Sequence, residues 1–397
     1  MVPQLRAAYN AQFTAEKYAA FLNGIAAEGR TRPPFRIAET PVFIPKTLRD
    51  KMLDAADHII SVIQRPDFKE RTEGAIPAGF RVANENGHSH FIIIDFAACR
   101  NAAGELEPQL IELQGFPSLF AFQELMGRQF RAHFDMPAGA DNFPPGWNAQ
   151  RYYDFLQQTI LAGEAPEHVI LLEVKPQQQK TLVDFLATEN QLGIRPVCVS
   201  DLIQEDRQLF YLRDGVKTRV KRIYNRVIFE DLEKQKAFLQ NVPHLFGDLE
   251  VAWVPHPNWF YRISKYTLPL LQHAYIPESR FLHAVSALPA DLENYVLKPL
   301  FSYAGQGVII NVTPQHVADI KDPSQWILQR KVAYTPAIET PTGPAKCEIR
   351  LMYAWPDGAP KPALVHSLVR ISKSAMIGVN FNAQDTWVGG SAGFFEV

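Results

Sequence analysis

The sequence predicts a fold of mixed class, α/β in one part and α+β in another, divided into several lobes. The chain has 397 residues, which is too many for one ordinary hydrophobic core. A strand–helix–strand series begins near residue 167, and a run of strands with few helices follows residue 295. Alternating strands and helices indicate a parallel sheet, whereas successive strands are typical of antiparallel pairing.

The first part of the chain, residues 1–85, is predicted to be mainly helical. The stretches TAEKYAAFLNGIAAEG and TLRDKMLDAADHIISVIQ carry apolar residues at helical spacing, and a proline-rich loop separates them. Residues 86–165 then begin with two strands, which contain FIIIDF and LIELQ. The polar loop between these strands has a glycine and a proline, and the helix SLFAFQELMGRQFRAHF follows them.

Residues 165–255 are predicted to form a small α/β lobe. HVILLEV is typical of a fully buried strand, QKTLVDFLATENQLG of a helix, and RPVCVSDLI of the next strand. Such a unit implies two parallel strands joined by a right-handed crossover. The stretch QLFYLRDGVKTRVKRIYNRV is predicted to be a hairpin with its turn at Asp214 and Gly215.

Residues 256–397 are predicted to form an α+β lobe rich in antiparallel strands. ISKYTLPLLQHAY is predicted to be a helix. The strands that follow contain YVLKPL, VIINV, WILQRKV, CEIRLMYAW and PALVHSLVRIS. A glycine-containing loop, FSYAGQG, joins the first two of them.

Composition restricts the classes of partner. The 40 basic and 42 acidic residues nearly balance, so nucleic acid and anionic membranes are not predicted partners. The longest apolar runs have the length of strands, and the N-terminus lacks the apolar segment of a signal peptide. The three cysteines are far apart and favour no disulfide framework or zinc site, so a reducing cytoplasm is expected. Oligomeric state is left open.

Acidic and polar side chains interrupt the two strands at 91–96 and 109–114. Asp95 lies in an otherwise apolar strand, and Glu112 and Gln114 lie in the next one. Burying a charge is costly unless it has a partner. That partner is either a buried base, such as an arginine, or a metal ion, and the residues alone leave both possibilities open.

Basic residues and glycines follow a different pattern in the C-terminal part. Lys298 lies on a strand, and Gly305 and Gly307 follow in a loop whose backbone N–H groups can approach phosphate oxygens. A plain turn is the alternative. Glu348 and Arg350 lie on one face of a later strand, and Arg370 lies on the strand after it. A simple cross-strand ion pair is the alternative there.

Together these stretches resemble the ATP-grasp superfamily. YVLKPLFSYAGQGV is similar to its lysine strand and phosphate-covering loop, and CEIRLMYAW, LVRIS and FN…VGGSA are similar to segments of prokaryotic glutathione synthetases. HFIIIDFAACRNAAGELEPQLIELQGFPSL resembles the final, metal-binding hairpin of the superfamily, yet here it precedes the other segments. Such a circularly permuted order resembles the synthetase domain of glutathionylspermidine synthase. WFYRISKYTLPLL and VKRIYNRVIFEDL are similar to that family too.

The resemblance implies an ATP- and Mg²⁺-dependent ligase that joins a small carboxylate to an amine through an acyl phosphate. It also implies a small lobe preceding the ATP-grasp core. The implied roles are phosphate binding by Lys265 and Lys298, a lid with Gly305 and Gly307, adenine contact by Gln329, Lys331 and Val332, Mg²⁺ ligation by Asp95, Glu112 and Gln114, and stabilisation of phosphoryl charge by Arg350.

Departures from the family pattern keep a second function open. Gln114 stands where an asparagine is usual and is one methylene longer. Ile93 stands where the family often has an arginine, so one phosphate contact is either lost or supplied by another residue such as Arg81 or Arg370. The alternative is therefore a catalytically silent nucleotide-binding or scaffold protein. A phosphotransferase is a third option. Arg222, Arg226 and Arg370 are candidates for binding a substrate carboxylate, with solvated surface arginines as the alternative for the first two.

Overall fold

A computed structural model describes residues 1–235, 239, 242–302, 306–374, 377 and 385–397. The α-helices in these ranges are α1 Pro3–Gln12, α2 Ala15–Glu28, α3 Lys46–Ile63, α4 Phe68–Arg71, α5 Phe120–His133, α6 Ala149–Ile160, α7 Leu182–Leu192, α8 Phe229–Gln235, α9 Asn258–Arg262 and α10 Pro314–Ala318. The strands are β1 Val42–Ile44, β2 Phe91–Arg100, β3 Leu106–Gln114, β4 Ala140–Asp141, β5 Val169–Glu173, β6 Arg195–Cys198, β7 Ile203–Glu205, β8 Gln208–Arg213, β9 Val216–Val220, β10 Arg222–Asn225, β11 Ala252–Val254, β12 Ser279–Phe281, β13 Tyr295–Pro299, β14 Ile309–Ile310, β15 Trp326–Arg330, β16 Lys346–Ala354, β17 Ala363–Ser372 and β18 Gly389–Glu396.

The largest sheet joins the two ends of the chain. Its order is β1-β18-β17-β16-β2-β3, with β4 paired to β18. The hairpin β2–β3 pairs through β2 with β16, although some 250 residues separate Asp95 from its partner Arg350. β1 from the N-terminal region pairs in parallel with β18 at the other end of the chain. The predicted helical N-terminal region therefore contributes a strand as well as helices to this sheet.

A second sheet is entirely parallel, with the order β11-β10-β5-β6. β5, α7 and β6 form the predicted strand–helix–strand unit. Four of the five β5 side chains are fully buried and apolar, as expected for a strand covered on both faces.

The predicted hairpin after residue 207 is shorter than the sequence indicated. β8 and β9 form it around Asp214 and Gly215, both with positive φ, but β9 ends at Val220. The chain then enters the parallel sheet as β10. Val220 at the end of β9 and Ile223 in β10 are both buried. Because buried apolar residues continue from one strand to the next, the sequence pattern does not show where the chain changes sheets.

A third, antiparallel sheet carries the predicted lysine strand. Its order is β12-β15-β13-β14, and β14 is only two residues long. The helix predicted for ISKYTLPLLQHAY is instead a short 3-10 helix, Lys265–Leu270. Pro269 lies inside it, and a proline removes the backbone donor that a longer α-helix would need. In the parts of the chain that are described, no helix is both long and apolar enough to cross a membrane.

A buried histidine lies in the core between the large sheet and α6. His366 on β17 is fully buried, with its ring 5.1 Å from that of Phe143 and 5.4 Å from that of Tyr152. Its Nε2 has no hydrogen-bond partner among the described residues. Burial lowers the pKa of His366 to about 4, against the smaller effects of the Ser367 backbone and of Asp141. The ring is therefore neutral in the folded protein at neutral pH.

We predict that His366→Leu reduces the acid sensitivity of the fold. The unfolded ring takes up a proton near pH 6.5, whereas the folded ring does so only near pH 4, so stability falls as the pH drops through this window. Between pH 6.5 and pH 5 the loss from this one group is about 2 kcal/mol. Tm measured at pH 7 and pH 5 should differ less in His366→Leu than in wild type. His283→Leu, which alters an exposed ring, is the control. Equal differences in all three proteins would contradict the prediction.

Candidate functional site

One face of the large sheet carries a row of charged side chains in paired positions. Arg350 on β16 lies opposite Asp95 on β2, and Asp95 lies opposite Glu112 on β3. Residues in register on neighbouring strands project to the same face. Glu348 and Arg370, which also pair with each other, lie two residues along on this face. Charged side chains therefore link the hairpin β2–β3 to the C-terminal strands β16 and β17.

Asp95 is held by two arginines. Its side chain is 1% exposed. Arg350 donates from Nε to Oδ1 and from Nη2 to Oδ2, both at 2.7 Å, and Arg370 donates from Nη2 to Oδ2 at 2.5 Å. Burial alone would raise the pKa of Asp95, but attraction to the two guanidinium groups outweighs it and holds the pKa below its ordinary value. Of the two partners that the sequence left open, the structure supplies the base.

Glu348 extends this network by one residue. Its Oε2 lies 3.2 Å from Arg370 Nε, and its Oε1 accepts a hydrogen bond from the Tyr334 hydroxyl. Burial raises the pKa of Glu348, and the neighbouring Asp95 charge adds to that effect, while Arg370 opposes it. Arg370 thus lies between two carboxylates and touches both.

Two lysines approach the row from the third sheet and the 3-10 helix. Lys298 on β13 donates from Nζ to the Ile111 carbonyl oxygen at 3.2 Å, next to Glu112. Burial lowers the pKa of Lys298 to about 8, although Glu112 opposes the effect. Lys265 is 8% exposed and donates to the Ser302 carbonyl oxygen at 2.7 Å. Burial lowers the pKa of Lys265 too, again against the attraction of Glu112.

Gly115 allows these segments to come together. Its N–H donates to the Ile263 carbonyl oxygen at 2.7 Å. A Cβ at this position would lie 2.4 Å from the Trp259 carbonyl oxygen, which is too close for any side chain. The end of β3 therefore packs directly on the backbone of α9, which ends three residues before Lys265. The Gly in LIELQG places Glu112 and Gln114 beside the lysine.

A cavity of about 310 Å³ opens between these segments. Cationic residues at its wall are Lys265, Arg350 and Arg370, and acidic or amide residues are Glu112, Gln114 and Glu230. Aromatic residues form another part of the wall: Phe116, Phe229, Phe260, Tyr261 and Phe301. Lys298 does not line the cavity but contacts the same stretch of β3 at the Ile111 carbonyl oxygen. The cavity thus combines positive charge with apolar surface, as a site for an anion that carries a ring or a chain would require.

The glycine loop lies only partly within the described residues. Gly307 has a positive φ of 72°, which a glycine adopts without strain, and a Cβ there would lie 3.1 Å from Pro299. Gly305 lies outside the described residues. Ser302, at the start of the loop, lines the cavity and contacts Lys265.

The predicted adenine strand lies away from the cavity wall. Gln329 is buried and donates to the Ser279 hydroxyl at 3.0 Å. Lys331 uses its backbone N–H for the Asn294 carbonyl oxygen and its ammonium for Asn311 Oδ1. Val332 follows the end of β15. These roles remain predictions.

The two candidate substrate arginines on and after β10 differ in position. Arg222 donates to the Ile160 carbonyl oxygen at 3.0 Å and to Asp357 Oδ2 at 3.1 Å, and it does not line the cavity. Arg226 is 4% exposed, and its guanidinium lies 4.2 Å from the ring centre of Phe116, a cavity residue. Its Nε and Nη1 have no hydrogen-bond partner within the described ranges.

The predicted magnesium ligands do not fit a cation in this arrangement. Both oxygens of Asp95 already accept bonds from guanidinium groups, and a divalent ion there would adjoin two positive charges. Glu112 and Gln114 alone remain at the cavity wall. Within the described residues, no group of three or more His, Cys, Asp or Glu side chains is placed to hold a metal ion.

Sequence reasoning missed several residues of the cavity. The sequence singles out neither Glu230 nor any residue of the aromatic wall, although Phe116 lies in the hairpin segment and Phe301 in the phosphate-loop segment of the family resemblance. The sequence makes Arg370 a candidate for a substrate or phosphate contact, whereas the structure places it on Asp95. That contact depends on the pairing of β16 with both β17 and β2, which local spacing does not reveal.

The sequence matches no protein-family model and no curated protein. Among solved structures, the chain is similar to a glutathione synthetase-like effector from Globodera pallida in its apo form. The TM-score is 0.60, the sequence identity is 11%, and the match covers 96% of each chain. At this identity the likeness concerns the fold alone: the protein has a mixed α and β architecture similar to that of the effector.

Proposed function

We propose that the cavity binds the polyphosphate of ATP and that the protein is an ATP-dependent ligase joining a carboxylate to an amine. One observation carries this proposal. Lys265, Glu112, Gln114, Arg350 and Arg370 come from distant segments and line one cavity, with Lys298 behind it. Phosphoryl transfer depends mainly on positioning and positive charge, and this set supplies both.

We also propose that the chain has the permuted order of the synthetase domain of glutathionylspermidine synthase. The support is the place of the hairpin β2–β3, which precedes the lysine strand in sequence and pairs with β16 in space. In this proposal, residues 86–165 and 256–397 build the ATP-grasp core, residues 165–255 form a preceding lobe, and residues 1–85 form an N-terminal helical region. Small-molecule carboxylate and amine substrates are the partners.

The proposed reaction has two steps. A substrate carboxylate oxygen attacks the γ-phosphorus of ATP, ADP leaves, and an acyl phosphate forms. The amine nitrogen then attacks the acyl carbon, phosphate leaves, and the amine loses a proton. In this scheme Lys265 and Lys298 hold phosphate oxygens, and Arg350 stabilises the charge on the transferred group. Arg370, at the same wall, is available to the phosphate or to the substrate carboxylate.

We predict that Lys298→Met and Lys265→Met each weaken ATP binding by about 10- to 100-fold. Each change removes a charge-assisted hydrogen bond, for which about 1.5–3 kcal/mol is typical. Isothermal titration calorimetry measures the loss. Lys217→Met is the matched control, because Lys217 is an exposed lysine paired with Glu205 in another sheet. Wild-type affinity in both cavity variants would refute the proposed phosphate site.

A second candidate function is nucleotide binding without turnover. The observation that favours it is the engagement of Asp95 by Arg350 and Arg370, which occupies both oxygens of one predicted magnesium ligand. Gln114, one methylene longer than asparagine, is the other feature in its favour.

We predict that the protein releases ADP and phosphate from ATP only when an acceptor is present. The assay contains Mg²⁺, ATP and a mixture of amino acids and polyamines, and mass spectrometry identifies the product. Acceptor-dependent release establishes a ligase. ATP binding with no release under any mixture would rule the ligase out and leave the binding protein. Phosphate found on the acceptor would identify a phosphotransferase.

A further inference from the structure

The cavity wall contains a guanidinium pair that is fixed by an internal carboxylate. Arg350 binds Asp95 through two parallel N–H···O contacts, the geometry in which arginine holds a carboxylate most firmly. Arg370 binds the same carboxylate and also lies 3.2 Å from Glu348. Both arginines line the cavity. Their positive charges are therefore in place before any ligand enters.

Separating this network is costly. Asp95 is 1% exposed and Arg350 is 7% exposed, so neither charge is compensated by water. Removing one partner from a buried ion pair leaves an uncompensated charge, which typically destabilises a protein strongly. A metal ion that took Asp95 as a ligand would have to displace a guanidinium from it. The contacts of Asp95 with Arg350 and Arg370 therefore disfavour metal binding at Asp95.

Among the other acids near the cavity, Glu348 has direct side-chain partners. Glu348 is buried and contacts Arg370 and Tyr334. Glu112 is partly buried at the wall, and both cavity lysines are attracted to it. Glu230 lies at the same wall but on α8, next to the aromatic residues. At the end of the cavity where phosphates are proposed to bind, Asp95 and Glu348 contact guanidinium groups, and Glu112 attracts two lysines.

We propose that the cavity binds a nucleoside polyphosphate as the metal-free anion, with Arg350 and Arg370 supplying the positive charge that a divalent cation supplies elsewhere. The inference rests on the proposed ATP site and concerns binding. Guanidinium groups suit this role because they remain charged at every accessible pH and donate several N–H groups in a fixed plane. Asp95 acts as the counter-charge that orients them toward the cavity.

The test measures binding of a non-hydrolysable ATP analogue by isothermal titration calorimetry, once with excess Mg²⁺ and once with excess EDTA. The expected dissociation constant in EDTA is equal to that in Mg²⁺ within about threefold, or lower, because the free nucleotide carries more negative charge. Arg370→Gln, a change at a 30% exposed side chain, should weaken binding in EDTA by about tenfold. Arg207→Gln, at a surface arginine paired with Asp248, is the matched control and should bind like wild type.

Failure of metal-free binding and failure of the proposed ATP site give different results. Binding in Mg²⁺ that weakens more than about tenfold in EDTA overturns the metal-free inference and leaves the ATP site intact. Absence of binding in both buffers refutes the ATP site itself. The wild-type comparison needs no variant, so a folding defect in Arg370→Gln would not prevent a decision.

Discussion

The buried ion pair between Asp95 and Arg350 is the interaction on which the rest of the site depends. It joins β2 to β16, two neighbouring strands of the large sheet that come from opposite halves of the chain. Arg370 on β17 adds a third strand to the same carboxylate. Because a buried charge requires a partner, displacing any of these three strands would leave a buried charge unpaired or expose it to water. The hairpin is thus fixed in the position from which Glu112 and Gln114 reach the cavity.

Close backbone packing also positions the charged groups of the cavity. Gly115 lets the end of β3 rest on α9, and this contact sets the distance between Glu112 and Lys265. On the other side, Lys298 is held against the Ile111 carbonyl oxygen by the antiparallel sheet that carries β13. The charged groups of the cavity therefore lie on strands and short helices, not on long loops. Such support keeps cationic groups in place without a ligand, which is a requirement for electrostatic binding of phosphates.

The same network explains why the structure and the family resemblance differ over the metal. In the family pattern, the hairpin acids face phosphates through a cation. Here the central acid faces two arginines, and the cations at the wall are side chains of the protein itself. The similarity to a glutathione synthetase-like effector concerns the fold. Charge complementarity within this chain is the more direct guide to what the cavity accepts.

Local sequence patterns were sufficient for several features. The apolar run of β5, the helix α7 and the turn at Asp214–Gly215 follow from residue spacing and turn chemistry, since these depend on near neighbours. The acids at 95 and 112 and the lysine at 298 could be singled out because a charge in an apolar strand is unusual. Their close approach in space could not be predicted, because sheet order is a long-range property. Only the tertiary structure decided that Asp95 has arginine partners, that β9 and β10 belong to different sheets, and that Lys265 follows a helix packed on Gly115. Each of these depends on contacts between residues far apart in sequence, where spacing along the chain carries no information.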